Sequence, residues 1–253
     1  MGGSFVWNVN NYAFGCTDFN ILMTSYSIIR KSQLEGAKRL DAEYYQPEYL
    51  GLENLFHKSK TDSILDLTSF VKKGIFDLSP DNYLSEGVPF VRVQNIKNGF
   101  LNDQNLVFIS QTVHKKEYKT ELSSFDIVFS KIGTVGEVSF IPSRFPVVNF
   151  SQNVIGIKID GHTIPKGFLL FFLLSKFGQL QIARVNMLQV QAKLELKDIR
   201  SLRVIRLGNE ENYFHQELLK IENLFENSKS LYSQAENLLL EKLELMGFLD
   251  LVK

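Results

Sequence analysis

The stretch LFENSKSLYSQAENLL, residues 224–239, carries an apolar repeat of seven residues that extends from residue 214 to residue 246. An interval of seven, divided into steps of three and four, places apolar side chains on one stripe of a helix and is typical of coiled coils. The sequence therefore predicts one long C-terminal helix. The residues that we expect to face a partner are Leu218, Ile221, Leu224, Phe225, Leu231, Tyr232, Leu238, Leu239 and Leu245.

This apolar stripe is broader than the seam of a two-stranded coiled coil, so it requires a large partner surface. No second helix of comparable length follows it in the sequence, and we expect it to dock on another chain rather than on an earlier part of this one. The other face is expected to be solvated and contains Glu217, Lys220, Glu222, Glu226, Lys229, Glu236 and Glu241.

The length and composition fit a globular protein with a core of its own. The chain has 253 residues, of which 44% are hydrophobic, and its single cysteine, Cys16, excludes a disulfide framework. The longest apolar run, residues 168–174, is far shorter than the roughly 20 residues of a membrane-spanning helix. Because the N-terminus lacks a basic-then-apolar signal, we expect a cytoplasmic protein without membrane contact.

The net charge is zero over the whole chain but is unevenly distributed. Residues 61–209 carry a net charge of +5, and residues 210–253 carry a net charge of −5. A basic middle followed by an acidic helix separates a part suited to a polyanion from a part suited to protein or water. Chance scatter within a neutral protein is the alternative that these counts leave open.

The middle of the chain has the pattern of an α+β domain. Pro47 is tolerated in a first helical turn and favours a helix over residues 47–57. Alternation over residues 90–96 predicts a strand with one buried face, and Asn98–Gly99 predicts a tight turn. Gly133 and Gly136 bracket another turn. Further strands are expected at 105–109, 126–130, 137–141, 147–150 and 154–159, a short helix at 113–120, and a buried helix at 167–182.

These patterns divide the chain into three parts. Residues 1–38 form a segment of unclear role, residues 39–207 a mixed, mainly antiparallel β-rich domain, and residues 208–253 the long helix. The fold class is therefore α+β with a C-terminal coiled-coil helix.

The chain lacks the common signatures of an enzyme. It has neither the phosphate-binding loop that ends in Gly-Lys-Ser/Thr nor the Gly-x-Gly-x-x-Gly dinucleotide fingerprint, and its four histidines are scattered. A magnesium nuclease needs clustered carboxylates beside a lysine. Glu195 and Lys197 have a suitable local spacing and Asp81 could supply the upstream carboxylate, but more than a hundred residues separate them. The sequence does not predict catalysis, a metal site or a cofactor.

Polar and basic residues collect at the predicted turns of the β-rich domain. Arg and Lys suit phosphates and guanine edges, whereas Asn and Gln match the edge of adenine with two hydrogen bonds. Surface loops of this composition are also common without any function. The candidates for DNA binding are Lys72, Lys73, Arg92, Gln94, Asn95, Lys97, Asn98, Lys131, Thr134, Arg144, Asn149, Gln152, Asn153, Gln189, Gln191 and Lys193.

The order of several segments resembles one known family. The segments are RLDAEYYQPEY (39–49), GVPFVRVQNIKNG (87–99), FDIVFSKIGTVG (125–136), SQNVIG (151–156) and QVQAKL (189–194), followed by the long helix. In this order they are similar to a target-recognition domain and conserved helix of a type I restriction-modification specificity (S) subunit. The resemblance covers roughly residues 39–246, and the order is more specific than any single segment.

The resemblance implies a non-catalytic subunit that reads double-stranded DNA. In that family, two recognition domains usually read the halves of a split site and are held apart by two antiparallel helices, which dock methyltransferase (M) subunits. The complex recruits a restriction (R) subunit. S-adenosylmethionine, ATP and magnesium belong to those partner subunits.

This chain is similar to half of such a subunit, with one domain and one helix. Pairing with a second copy, or with another half-length specificity chain, would restore the two-domain arrangement. A two-fold pair would read a palindromic split site.

Three hypotheses follow. The first is a sequence-reading subunit that directs a methyltransferase or restriction complex. The second is a protein-protein adaptor whose domain binds no DNA. The third is a stand-alone magnesium nuclease that would depend on Glu195. Steep salt dependence of DNA affinity, which arises from counterion release, would distinguish the first from the second.

Overall fold

A computed structural model describes residues 4–9, 25–31, 34, 40–97, 99–187 and 193–243. Strand β1 (Ser4–Val9) pairs antiparallel with β2 (Ser25–Arg30). Helix α1 (Pro47–Lys58) follows and confirms the helix predicted over 47–57, with Pro47 in its first turn. Tyr49, Leu52 and Phe56 are the buried side of this helix, because they recur at the spacing of one helical face.

Two four-stranded sheets form the centre of the described domain. The first has the order β11-β10-β13-β4 and is antiparallel throughout. The second has the order β8-β5-β12-β9, in which only the β5–β12 pair is parallel. Their strands are β4 (Thr68–Lys73), β5 (Val88–Val91), β8 (Val107–Ile109), β9 (Leu122–Ser123), β10 (Ile127–Ser130), β11 (Val138–Phe140), β12 (Val147–Phe150) and β13 (Val154–Ile159).

Shorter elements complete the domain. Strand β3 (Thr61–Ser63) pairs with β14 (Arg203–Ile205), so both ends of the domain meet in one ribbon. The hairpin β6 (Ile96–Lys97) and β7 (Phe100–Leu101) flanks the predicted Asn98–Gly99 turn, of which Asn98 lies outside the described residues. The short helices are α2 (Ile64–Leu67), α3 (Gln111–Lys116) and α6 (Leu196–Ser201).

The predicted strand over 90–96 is wrong beyond Val91. Strand β5 ends there, and a 3-10 turn covers Val93–Asn95. The side chain of Asn95 accepts a hydrogen bond from the backbone N–H of Arg92 (3.0 Å), which closes the turn. The alternation of apolar and polar residues over 91–94 therefore spans the end of a strand and a turn, not one continuous strand.

The single buried helix predicted over 167–182 is two helices. Helix α4 (Lys166–Leu174) and helix α5 (Lys176–Asn186) meet at Ser175 with a bend of 59°. The hydroxyl of Ser175 donates to the carbonyl of Phe172 (2.6 Å), which competes with continuation of the helix. The bend lets α4 lie in the core while α5 turns outward. Among the described residues, no single helix is long and apolar enough to cross a membrane; by length and composition, this bent pair is the one candidate.

Helix α7 (Glu211–Lys242) confirms the long C-terminal helix, and it begins directly after a 3-10 turn at Gly208–Glu210. Its first half packs on α4. A Cβ added at Gly167 would lie 2.6 Å from the Cα of His215, so glycine lets the two helix backbones approach closely. The structure as a whole confirms the predicted fold class, a mainly antiparallel α+β domain followed by a long helix.

Candidate nucleic-acid interface

Several strand ends of the two sheets converge at one edge of the domain. Residues that follow β4, β5 and β10 lie there beside the turn between β12 and β13. The backbone N–H of Lys131 donates to the carbonyl of Asn153 (3.1 Å), and the carbonyl of Lys131 accepts from the N–H of Leu194 (3.1 Å). Five chain segments that are distant in sequence are therefore held together at this strand-end edge.

The strand-end edge contains a cleft of about 380 Å³. Its lining includes Arg92, Gln94, Gln152 and Asn153, all four of which were predicted as DNA-binding residues. Sequence reasoning missed the apolar part of the cleft, which includes Ile75, Leu78, Tyr83 and Phe90. Apolar residues spaced irregularly over a loop and a strand give no periodic signal, so only the folded chain brings them together.

Arg92 is held in a fixed position within the cleft. Its guanidinium lies 5.3 Å from the centre of the Tyr83 ring, and its Nη2 donates to the carbonyl of Asn105 (2.6 Å). Its buried Nε has no hydrogen-bond partner among the described residues. The cation is thus placed by stacking and by one hydrogen bond.

Two glycines let the backbone form this edge. A Cβ added at Gly74 would lie 1.9 Å from the carbonyl oxygen of Phe150, so no side chain fits where β4 passes the end of β12. Gly133 lines the cleft at φ +74°, in the left-handed region that glycine adopts at no steric cost. The turn predicted between Gly133 and Gly136 is confirmed.

Three lysines crowd together beside the cleft. Lys73 ends β4, Lys131 follows β10, and Lys193 precedes α6. Burial is the main influence that lowers the pKa of Lys131, and the charges of Lys73 and Lys193 lower it further. Among the described residues none of the three has a carboxylate within ion-pair distance, and the nearby Glu195 pairs with Lys197 (3.2 Å). We call these three residues the lysine cluster.

Three predicted DNA-binding residues are instead committed to internal contacts. Asn95 and Asn149 are fully buried. Asn95 donates to the carbonyl of Asn102 (3.0 Å), and Asn149 bonds to His114 (2.6 Å) and Thr120 (3.0 Å). Buried amides with satisfied hydrogen bonds are part of the fold, because exposing them would break those bonds. The prediction of groove contacts for these two residues is corrected on this ground.

Arg144 is the third. It pairs with Asp103 (2.8 Å) and with Glu226 of α7, so it joins the domain to the long helix and is removed from the proposed interface.

The remaining candidates lie apart from the cleft lining. The Nζ of Lys72 donates to the carbonyl of Lys119 (3.2 Å), and the hydroxyl of Thr134 donates to Glu137 (2.9 Å). Lys97 is exposed on β6. The predictions for Asn98, Gln189 and Gln191 lie outside the described residues.

Helix α7 divides the predicted partner-binding stripe in two. Leu218 is buried in the core of the domain, and Phe225 stacks on Phe100 with 4.3 Å between ring centres, so the expectation that the stripe avoids its own domain is wrong for this half. Ile221 is half-buried. The exposed part of the stripe comprises Leu224, Leu231, Tyr232, Leu238 and Leu239, whereas Leu245 lies outside the described residues.

Ion pairs fix the start of α7. Arg206 forms two hydrogen bonds with the carboxylate of Glu211 (both 2.9 Å) and pairs with Asp62 (2.6 Å). Glu211 is only 2% exposed and also accepts from the N–H of Leu207 (2.8 Å). Burial by itself raises the pKa of Glu211, but the bonds from Arg206 and Leu207 outweigh it and the pKa is lowered.

A second set of contacts corrects the expectation of a solvated charged face. Glu222 is buried and accepts from the N–H of Ser143 (2.6 Å). Lys229 pairs with Asp103 (3.1 Å). Burial by itself raises the pKa of Asp103, but the hydrogen bond and charge of Lys229 and the charge of Arg144 outweigh burial, so the pKa is lowered. Glu222, Glu226 and Lys229 therefore hold the helix against the domain, whereas Lys220, Glu236 and Glu241 are exposed as expected.

The described residues contain no group of three His, Cys, Asp or Glu side chains that could hold a metal ion. Of the two acids considered for a nuclease, Glu195 pairs with Lys197 and Asp81 accepts from Ser79 (2.9 Å). The strand-end edge thus brings together three side-chain amides, one guanidinium held by stacking, and three lysines of like charge.

Comparison with known proteins gives a family and a fold. Residues 57–206 match the model of the family "Type I restriction modification DNA specificity domain". The chain is 24% identical over 162 residues to the Type I restriction enzyme EcoBI specificity subunit of Escherichia coli, a match that covers 64% of this chain and 34% of that protein. The chain thus spans about a third of the length of this curated relative.

Two solved structures are similar. The type IIG restriction endonuclease BpuSI superimposes with a TM-score of 0.52 and 14% identity, over 83% of this chain and 32% of that one. The type I restriction-modification S subunit from M. genitalium superimposes with a TM-score of 0.48 and 17% identity, over 70% of this chain and 42% of that one. The likeness to BpuSI supports the fold. Because the family match covers more than half of its length, the chain belongs to the type I restriction modification DNA specificity domain family.

Proposed function

We propose that this protein is the non-catalytic, sequence-reading component of a type I restriction-modification complex, and that it binds double-stranded DNA at the strand-end edge. The observation that carries the proposal is the position of the lysine cluster beside the cleft, within the region that matches the specificity-domain family. The like charges of these lysines repel one another, and the nearby Glu195 offsets only part of that repulsion. A polyanion relieves the rest.

The side chains at the strand-end edge suit two kinds of DNA contact, one to phosphates and one to bases. Lys73 and Lys193 are exposed and suit phosphate oxygens, which fix position without reading sequence. Gln94, Gln152 and Asn153 carry amides that form paired hydrogen bonds with the major-groove edge of adenine, and Arg92 suits guanine. The phosphate contacts supply affinity, and the cleft supplies discrimination between bases.

The exposed end of α7 is proposed to assemble the complex. Leu224, Leu231 and Leu238 repeat every seven residues and are each more than half exposed, at 68%, 64% and 53%. Apolar rows of this kind are stable in water when another helix covers them. Their proposed occupant is the same helix of a second specificity chain, and the methyltransferase subunit docks alongside. A two-fold pair would read a split, palindromic site.

The partners supply the chemistry. S-adenosylmethionine belongs to the methyltransferase subunit, and ATP with magnesium belongs to the restriction subunit, which joins the assembled complex. The role of this chain is to place those subunits at a site.

Co-expression with a type I methyltransferase subunit from the same organism tests the proposal. The expected results are a stable complex and methylation confined to one split sequence, detected by sequencing of the host DNA. Arg92→Ala and Gln152→Ala should change or abolish the methylated sequence while the complex still forms. A complex that forms without site-specific methylation would favour a protein-protein adaptor, and absence of both would refute the proposal.

A further inference from the structure

Phe76 is an exposed aromatic residue at the strand-end edge that neither the fold nor the proposed contacts use. Its side chain is 83% exposed, more than any other large hydrophobic side chain in the described part of the chain. Single exposed apolar residues are common on protein surfaces, so exposure alone indicates nothing. The surrounding structure is what distinguishes Phe76.

The turn that carries Phe76 is anchored on both sides. Ile75 is 4% exposed, and its N–H donates to the carbonyl of Phe150 (2.8 Å). Leu78 packs against the core cluster that contains Ile75 and Phe90. Between the anchors, Asp77 adopts φ +51°, a left-handed conformation that is uncommon for residues other than glycine. The chain thus holds Phe76 outward on a short, fixed turn.

This turn lies at the rim of the cleft. Ile75 and Leu78, on either side of Phe76, both line the cleft, and Lys73 of the lysine cluster ends the preceding strand. Phe76 therefore lies next to the surface at which the proposed function places DNA.

The neighbouring amides indicate which part of a base it meets. Gln94, Gln152 and Asn153 suit the major-groove edge of adenine. Each adenine pairs with thymine, whose 5-methyl group is the apolar feature of the same groove. We propose that Phe76 contacts a thymine 5-methyl group and so acts as a specificity-determining residue; this inference rests on the proposed DNA recognition.

The test begins with the target sequence. A randomised duplex library is selected on the wild-type chain, together with its methyltransferase partner if the chain binds only in the complex. Each thymine of the selected site is then replaced in turn by deoxyuridine, which removes only the methyl group. At one position the wild-type protein should lose about fourfold in affinity, the amount expected for one buried methyl group.

Variants at Phe76 decide whether this residue makes the contact. Phe76→Ala should bind the thymine and deoxyuridine sites equally, whereas Phe76→Leu should keep part of the discrimination. Phe177→Ala is the control, because Phe177 is a partly exposed phenylalanine on α5, in a groove against α1. It should discriminate as the wild type does.

The outcomes separate this inference from the proposed function. Site-selective binding with no methyl-sensitive position, or a Phe76→Ala variant that discriminates normally, overturns the inference and leaves the proposed function standing. A rise in 2-aminopurine fluorescence that depends on Phe76 would indicate insertion between bases and would also overturn it. Failure to select any sequence would contradict the proposed function and this inference together.

Discussion

The two halves of α7 share one apolar repeat but have different surroundings. In the first half, residues 211–229, Leu218 and Glu222 are buried, and Arg206, Arg144 and Asp103 pair with charges on the helix. In the second half, from residue 230 to residue 242, every residue but Leu240 is exposed. A heptad pattern therefore indicates that one face of a helix packs against another surface. In α7 the domain of the same chain provides that surface only for the first half of the helix.

The largest loss of stability is expected when the ion pairs at the start of α7 are removed. Arg206→Ala leaves the buried carboxylate of Glu211 without its partner and should lower the free energy of unfolding by about 3–5 kcal/mol. Chemical denaturation measures this change. Lys220→Ala, which removes an exposed pair with Glu217, is the control and should leave the midpoint unchanged. Equal midpoints for both variants would show that the first half is not held by these charges.

A smaller loss of stability is expected when the aromatic contact between Phe225 of α7 and Phe100 is removed. Phe225→Ala removes a stacked ring from Phe100 and should cost about 2 kcal/mol, because Phe225 is half-buried. Leu224→Ala changes a neighbouring residue that is 68% exposed and should cost much less. If the two losses are equal, the helix does not rest on the domain through this face.

Acid should loosen the first half of α7 in steps. Burial is the main cause that lowers the pKa of His215, so protonation favours the unfolded state and stability falls as the pH drops below the ordinary value of 6.5. The pKa of Glu211 is also lowered in the folded protein. Its contribution to stability is therefore fully present above its ordinary pKa of 4.5 and is lost as the pH falls through its pKa in the folded protein. Melting temperature against pH measures both steps, and His215→Gln should remove only the first.

The smallest effect on folding belongs to the second half. Leu231→Glu and Leu238→Glu lie on the exposed stripe and should change the stability of the isolated chain by no more than about 0.5 kcal/mol. They should nevertheless abolish assembly with a second chain or with the methyltransferase, measured by light scattering and co-purification. Normal assembly of either variant would contradict the docking role of this half.

Much of the fold could be predicted because its signals are local. Pro47 begins a helix, the glycines at 133 and 136 mark a turn, and the heptad repeat marks α7. The end of β5 was missed because its cause is one hydrogen bond that the side chain of Asn95 accepts from the backbone N–H of Arg92, although an Asn three residues after Arg92 is a recognisable turn signal.

The site was less predictable because it depends on which strands are neighbours. Arg92, Gln94, Gln152 and Asn153 were predicted by residue type, and the sheet order brings them together. By the same criterion Asn149 was included, and its complete burial in β12 excludes it. The lysine cluster consists of residues 73, 131 and 193, which are far apart in the sequence. No regular spacing therefore predicts that they lie close together.

The most direct test of DNA reading at the strand-end edge is the salt dependence of DNA affinity for a lysine-cluster variant. Lys73→Gln, Lys131→Gln and Lys193→Gln together should reduce the slope of log K against log salt by about 2, since Lys73 and Lys193 are the two proposed phosphate contacts and each contributes roughly 0.9. Lys58→Gln, Lys176→Gln and Lys220→Gln together make the same charge change on helices α1, α5 and α7. We expect the slope of this control to match the wild type at equal melting temperature. Equal slopes for both triple variants would contradict the account.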